Sequence, residues 1–129
     1  MRILIVEDSL LVQQMYGLAF SRREHELTTA SDGRAALAQL ADPASRFDVI
    51  LLDLRMPGMN GVEFLREVRR DARLAQLPIV VTTMEPEESE LLREARRLGV
   101  TAVVRKPWHP QELRDLVEAI VRKTPGQGR

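Results

Sequence analysis

The sequence contains no cysteine, few aromatic residues and no excess of charge of either sign. The lack of cysteine excludes a disulfide framework and a thiolate metal site, and it fits a reducing compartment. Lysine plus arginine number 19, and aspartate plus glutamate also number 19, so no bulk attraction to nucleic acid or to an anionic membrane is expected. No apolar run approaches the length of a membrane span. We therefore expect a cytoplasmic domain that binds neither nucleic acid nor membrane.

What the chain does contain is a regular alternation of short apolar runs and amphipathic segments. Its 129 residues are enough for one domain, expected over residues 1–123, with residues 124–129 as a flexible tail or the start of a linker. Helical periodicity, N-cap residues and a first-turn proline mark the helical segments. The predicted strands are residues 3–6, 26–30, 48–52, 79–82 and 101–104. This order predicts an α/β fold, a five-stranded parallel sheet with helices on both faces.

Polar residues stand one or two positions past the ends of four of these strands: Glu7 and Asp8, Asp53, Thr83, and Lys106. Ligands of such sheets bind beyond the carboxyl ends of the strands, so these side chains are expected to meet at one edge. Three carboxylates placed together repel one another, and Mg²⁺ is the usual cation for a site of carboxylate and phosphate oxygens. With a lysine charge and a hydroxyl donor nearby, the set can stabilise phosphoryl transfer to a carboxylate, with Asp53 as covalent acceptor.

In combination, these residues resemble the receiver domain of two-component response regulators. The resemblance rests on Glu7-Asp8, on the segment DLRMPGMNG that begins at Asp53, on the threonine after the fourth strand and on Lys106-Pro107. It covers roughly residues 2 to 122. It implies a flavodoxin-like, doubly wound sheet with strand order 2-1-3-4-5.

The resemblance also implies a role for each acidic residue. By similarity, Asp53 accepts a phosphoryl group from a histidine kinase or a phosphotransfer protein, and the modified domain then acts on a downstream protein target. Asp8, Asp53 and the backbone carbonyl of Arg55 would hold Mg²⁺, and Glu7 would assist through water. The domain is therefore expected to catalyse only its own phosphorylation and dephosphorylation, and not to act as an enzyme on other substrates.

Two further residues would contact the phosphoryl oxygens by similarity, Thr83 and Lys106. Thr83 is chosen over the adjacent Thr82 because its five-residue step from Pro78 matches the family pattern. The Lys106-Pro107 peptide bond is expected to be cis, as is typical of the family.

Leu11, Gln14 and Leu18 form a second stripe on the first helix, away from its inward face. Two interpretations stay open. The leucines are either scattered apolar residues of an ordinary surface or a face on which a helix of the kinase or phosphotransfer protein docks, as this helix does in the family.

The chain departs from the family pattern beside the acceptor. Arg55 and Glu85 stand two residues after Asp53 and Thr83, where an ion pair between them would close over the site. Met84 stands where the family prefers alanine or serine. We expect these three residues, Arg55, Met84 and Glu85, to modulate access to the acceptor and to make the phosphorylated form long-lived.

Other departures concern the switch. Val103 replaces the family's switch aromatic three residues before Lys106, and the segment from Thr83 to Lys106 is one residue longer than is common. Trp108 either serves the output face instead or is buried.

These departures keep a second reading open: a pseudo-receiver, which acts as a protein-interaction module without phosphorylation. The complete acidic set argues against it. An aspartyl-phosphate phosphatase would need a further acid or base and a substrate cap, and no insertion is long enough for a cap. A dinucleotide-binding domain is disfavoured because the first strand ends in acids and not in glycines.

Overall fold

The computed structural model describes residues 1–124, so the predicted tail lies outside the described residues except for Thr124. Five strands form one parallel sheet in the order 2-1-3-4-5, which confirms the predicted fold. The strands are β1 (Arg2–Val6), β2 (Glu26–Ala30), β3 (Val49–Asp53), β4 (Ile79–Thr83) and β5 (Ala102–Arg105). Each lies within one residue of its predicted bounds at either end.

Helices connect the strands in alternation, and they cover both faces of the sheet. They are α1 (Leu10–Ala19), α2 (Gly33–Ala41), α3 (Gly61–Arg70), α4 (Glu90–Arg97) and α5 (Pro110–Lys123), with a short 3₁₀ helix at Ala72–Leu74. No helix within residues 1–124 is both long and apolar enough to cross a membrane.

Local sequence explains where the helices begin. Asp32 and Asn60 cap α2 and α3, and Asn60 forms a reciprocal capping box with Glu63. Ser9 caps α1 by accepting a hydrogen bond from the backbone of Val12. These caps fix the first turn of each helix close to the end of the strand before it, which brings the helix N-termini to the edge where the strands end.

The core has two halves, one on each face of the sheet. Alternate residues of β1 divide between them, with Ile3 and Ile5 packing towards α1 and α5, and Leu4 and Val6 packing towards α2, α3 and α4. The aliphatic side chains of the central strand β3 are fully buried because both faces are covered. An acid at the end of β3 is therefore held in a rigid, dry setting.

Candidate functional site

Asp53 is the last residue of β3, at the middle of the carboxyl edge of the sheet. Its carboxylate is almost enclosed, with the residue 7% exposed. The loop that follows turns tightly back, and the N–H of Gly61 donates to the carbonyl of Leu54 at 2.9 Å. A Cβ on Gly61 would lie 2.6 Å from the carbonyl oxygen of Asp53, so only glycine lets α3 start this close to the acceptor.

Glu7 and Asp8 follow β1, the neighbouring strand, and reach the same point. Among residues 1–124, Glu7, Asp8 and Asp53 each offer one carboxylate oxygen, and these oxygens lie within 4.8 Å of one another. Glu7 and Asp53 are buried, whereas Asp8 is exposed to solvent. The structure thus brings the three predicted acids together, open to solvent on one side.

One lysine counters the charge of the two buried acids. Lys106 Nζ lies 2.9 Å from Glu7 Oε1 and 3.5 Å from Asp53 Oδ1. The backbone N–H of Arg55 donates to Asp53 Oδ1 over a long 3.4 Å. Burial, followed by the charge of Glu7, raises the pKa of Asp53 to about 6, against the opposing effect of Lys106. Burial and the neighbouring acid therefore disfavour the charged form of Asp53, and a further cation at this point would relieve that cost.

The acidic set fits a hard divalent cation. Three carboxylate oxygens face one point while a single lysine balances two of them, and oxygen ligands around uncompensated negative charge are what Mg²⁺ requires. The predicted ligands Asp8 and Asp53 are both at this point. The role of the Arg55 carbonyl and the water-mediated role of Glu7 stay predictions.

The two adjacent threonines at the end of β4 face opposite sides of the sheet. Thr82 Oγ1 lies 2.6 Å from the phenol oxygen of Tyr16 on α1, in a buried hydrogen bond. Thr83 Oγ1 accepts the backbone N–H of Glu85 at 3.0 Å, and its own hydroxyl proton can turn towards another acceptor. This arrangement supports the choice of Thr83, whose contact with a phosphoryl group stays a prediction.

The Lys106-Pro107 peptide bond is cis, as expected. Trp108 follows it and is buried, with its ring stacked on that of Tyr16 at a centroid distance of 4.9 Å. Of the two interpretations of Trp108, the structure shows the buried one. Tyr16, Thr82 and Trp108 together are named the aromatic cluster below.

On the other side of the acceptor, the predicted ion pair forms. Arg55 Nε lies 2.7 Å from Glu85 Oε2, and Arg55 Nη2 lies 3.1 Å from Glu85 Oε1, a bidentate geometry. The hydroxyl of Ser89 donates to Glu85 Oε1 at 2.7 Å. Arg55, Glu85 and Ser89 are named the ionic bridge below. Met84, between Thr83 and Glu85, is 77% exposed.

The second stripe of α1 is a solvent-exposed face. Leu11 and Leu18 are 67% and 76% exposed, and Gln14 lies exposed between them. Leu10, which is 72% exposed, extends this face towards the acidic set. The sequence interpretation missed Leu10, although its spacing of four from Gln14 was a readable signal.

Sequence reasoning also missed Ser89 and the polar role of Tyr16. Ser89 was detectable as an N-cap, because a serine follows the acidic turn and precedes the periodic run of α4. Its second bond, to Glu85, depends on the path of the loop and carries no sequence signal. Tyr16 lies on the buried face of α1, and its pairing with Thr82 joins residues 66 positions apart.

Comparisons with known proteins agree with this geometry. Residues 3–118 match the family model described as the response regulator receiver domain. The chain is 34% identical to the chemotaxis protein CheY of Pseudomonas aeruginosa, over 98% of this chain and 100% of that protein. It is 30% identical to the phosphate regulon transcriptional regulatory protein PhoB of Escherichia coli, over 95% of this chain and only 52% of that protein.

Solved structures of response regulators are similar in fold to this chain. The chemotaxis response regulator CheY4 of Vibrio cholerae superposes with a TM-score of 0.81 at 34% identity, over 92% of this chain and 97% of that chain. The phosphorylated cyanobacterial phytochrome response regulator RcpA superposes with a TM-score of 0.81 at 30% identity, over 97% of this chain and 98% of that chain.

Proposed function

The chain belongs to the response regulator receiver family, and from that premise we propose that Asp53 is the acceptor of a phosphoryl group in a two-component signalling pathway. The observation that carries the proposal is the meeting of Glu7, Asp8, Asp53 and Lys106 at the carboxyl edge of the sheet. A buried acceptor between acids and a lysine is suited to phosphoryl transfer, which depends on positioning and on charge stabilisation.

The proposed donor is the phosphohistidine of a kinase or of a phosphotransfer protein. A carboxylate oxygen of Asp53 forms a bond to phosphorus while the phosphorus–nitrogen bond breaks, and the imidazole keeps the electron pair and takes up a proton. Water later attacks the same phosphorus, which returns Asp53 as a carboxylate and releases inorganic phosphate. The protein thus acts only on its own aspartate and not as an enzyme on external substrates.

The residues around Asp53 have separate tasks in this reaction. Lys106 lies within 3.5 Å of Asp53 Oδ1 and supplies a positive charge to the transferred oxygens. The hydroxyl of Thr83 donates to one of them. Asp8 and Asp53, with the Arg55 carbonyl and with Glu7 through water, would hold Mg²⁺, which offsets negative charge on the transferred group.

Three residues are proposed to control access to the acceptor. The Arg55–Glu85 pair spans the loops after β3 and β4, and Met84 projects from the same rim. We expect them to slow the approach of water to the aspartyl phosphate. If Met84→Ala does not accelerate dephosphorylation, the proposal for Met84 is wrong.

Leu11, Gln14 and Leu18 are proposed as the docking face for a helix of the kinase or phosphotransfer protein. They lie on α1, which begins directly after the acidic set, so a partner bound there would stand next to Asp53. The relatives act in chemotaxis and in transcription by their names, so the output is proposed only as a downstream protein target. A cytoplasmic location remains a prediction.

The direct test is intact mass after incubation with Mg²⁺ and acetyl phosphate, with Asp53→Asn in parallel. Asp115→Asn is the matched control, because it removes an exposed carboxylate of α5 that does not belong to the acidic set. We expect one phosphoryl group on the wild type and on the control and none on Asp53→Asn. No adduct on the wild type, while a known receiver is labelled, would favour the pseudo-receiver.

A further inference from the structure

A continuous line of contacts runs from the acceptor to the start of α4. The backbone N–H of Arg55 donates to Asp53, and its guanidinium binds Glu85 by two hydrogen bonds. Glu85 accepts in turn from the hydroxyl of Ser89. The same Ser89 oxygen accepts the backbone N–H of Leu92 at 3.4 Å, as the N-cap of α4. The first turn of α4 is therefore tied to the loop that carries the acceptor.

Glu85 is held at two points by groups that a phosphoryl group would attract. Its side chain is bound to the guanidinium of Arg55, and its backbone N–H is bound to the hydroxyl oxygen of Thr83. An aspartyl phosphate carries about −1.5 to −2 of charge where the carboxylate carried −1, and it adds several strong acceptor oxygens, by analogy with other phosphorylated side chains. One guanidinium then faces two anions, and arginine pairs with phosphoryl oxygens in the same bidentate manner as with a carboxylate.

The bridge is built to exchange partners at small cost. The Arg55 side chain is 72% exposed, so its guanidinium can move through water at small cost. Glu85, in contrast, is only 14% exposed, and its pKa is lowered by Arg55 and then by Ser89. Once Arg55 leaves, this carboxylate has lost its cationic partner and lies beside a group of greater negative charge, so repulsion displaces it together with its bond to Ser89.

We propose that phosphorylation of Asp53 moves Arg55 from Glu85 to the phosphoryl oxygens and thereby releases Ser89 and the first turn of α4. Arg55 then covers the aspartyl phosphate itself, so its proposed effect on the access of water persists, whereas Glu85 limits access only until Arg55 has moved. Glu85 and Ser89 are then positioning residues, which act through Arg55 and not on the phosphoryl group. The inference rests on the proposed phosphorylation of Asp53. It gives this chain a route to α4 that does not need an aromatic side chain at Val103.

Hydrogen exchange of the α4 amides tests whether Arg55 leaves Glu85 on phosphorylation. The N–H groups of Leu92 and Arg93 bind the side chain and the backbone of Ser89, so they report on the cap. We expect both to exchange about two- to fivefold faster after treatment with Mg²⁺ and acetyl phosphate, the range for losing an exposed ion pair. Intact mass on the same samples gives the extent of phosphorylation.

Three variants separate the bridge from ordinary capping. Glu85→Gln is expected to show the faster exchange before phosphorylation and little further change after it. Ser89→Asp keeps a capping oxygen but cannot donate to Glu85, so its exchange should stay close to that of the wild type before phosphorylation and should not change after it. Glu67→Gln removes its exposed pair with Arg70 on α3, at a similar distance of 2.9 Å, and should leave the phosphorylation-dependent change intact.

The outcomes distinguish this inference from the proposed function. A phosphoryl adduct with unchanged exchange at Leu92 and Arg93 overturns the inference and leaves the acceptor assignment standing. The same change in Glu85→Gln as in the wild type also overturns it, because the bridge is then not the link. Absence of any adduct overturns the proposed function and the inference with it.

Discussion

The aromatic cluster and the ionic bridge flank the same acceptor but differ in burial and in polarity. The aromatic cluster joins the site to α1 through buried groups, with Tyr16 only 1% exposed. The ionic bridge joins the site to α4 through an arginine that is 72% exposed at its side chain. Packed aromatic rings cannot move without leaving cavities, whereas charged groups in water change partners cheaply. We therefore expect stability to depend on the α1 side and signalling on the α4 side.

Truncation of the aromatic cluster should give the largest effect. Trp108→Ala removes a buried ring that stacks on Tyr16 and leaves a cavity between α1 and α5, so we expect a loss of about 3–5 kcal/mol in the free energy of unfolding. Urea denaturation measures this loss, and Trp108→Phe, which keeps a ring, should retain most of the stability. A loss below 1 kcal/mol for Trp108→Ala would remove the distinction between the two sides.

The buried hydrogen bond between Tyr16 and Thr82 should contribute less to the free energy of unfolding than the Trp108 ring does. Tyr16→Phe leaves the Thr82 hydroxyl buried without its phenol partner, so we expect a loss of about 1–2 kcal/mol. Adding Thr82→Val should restore part of it, because the unpaired hydroxyl is then gone. A double-mutant cycle by urea denaturation checks this, and strictly additive losses would show that the hydrogen bond itself contributes nothing.

The acceptor lies between the two sides, and its charge should destabilise the fold in the absence of metal. Because burial raises the pKa of Asp53 from 3.8 to about 6, the folded protein binds this proton more tightly than the unfolded chain does. The stability linked to this group is present below pH 4 and is lost as the pH rises through about 6.

The substitution Asp53→Asn tests whether the charged form of Asp53 destabilises the fold. In a chelating buffer it should raise the free energy of unfolding by about 1–2 kcal/mol at pH 7 and by much less at pH 4. Urea denaturation at both pH values, with Asp115→Asn as the control, measures the difference. An equal gain in the free energy of unfolding at both pH values would show that the substitution acts through packing and not through removal of the charge.

Removal of the ionic bridge should have the smallest effect on stability. Arg55→Gln is expected to change the free energy of unfolding by less than any of the substitutions above, because the guanidinium is mostly in water, and the change should shrink in high salt. Arg70→Gln, whose side chain is also 72% exposed, is the matched control. A loss for Arg55→Gln as large as that of Trp108→Ala would contradict the assignment of signalling to the α4 side.

The fold was predictable because its signals are local and repeat along the chain. Aliphatic runs such as Val49–Leu52, caps such as Asp32 and Asn60, and the first-turn Pro110 each mark an element by its own chemistry. The meeting of Glu7 and Asp53 followed from topology alone, because parallel strands end at a common edge. The pairing of Arg55 with Glu85 was predictable as well, since both stand two residues beyond a strand end.

Contacts that depend on side-chain direction were not predictable. Whether Trp108 would face the core or the output surface was open in the sequence, because a tryptophan after a turn suits either place. The second bond of Ser89 and the bond between Tyr16 and Thr82 also required the packed structure. Neither the periodicity nor the spacing of the sequence predicts these contacts.

By itself, the sequence determined the order of the elements, the direction of the sheet and the acids at its edge, because hydrophobic periodicity and caps act over a few residues. The tertiary structure decided which neighbours each of these groups meets. It turned Thr82 towards Tyr16 and away from the site, and it raised the pKa of Asp53 by burying it beside Glu7. Those outcomes depend on dense packing and on exclusion of water, which arise only when segments far apart in the chain come together.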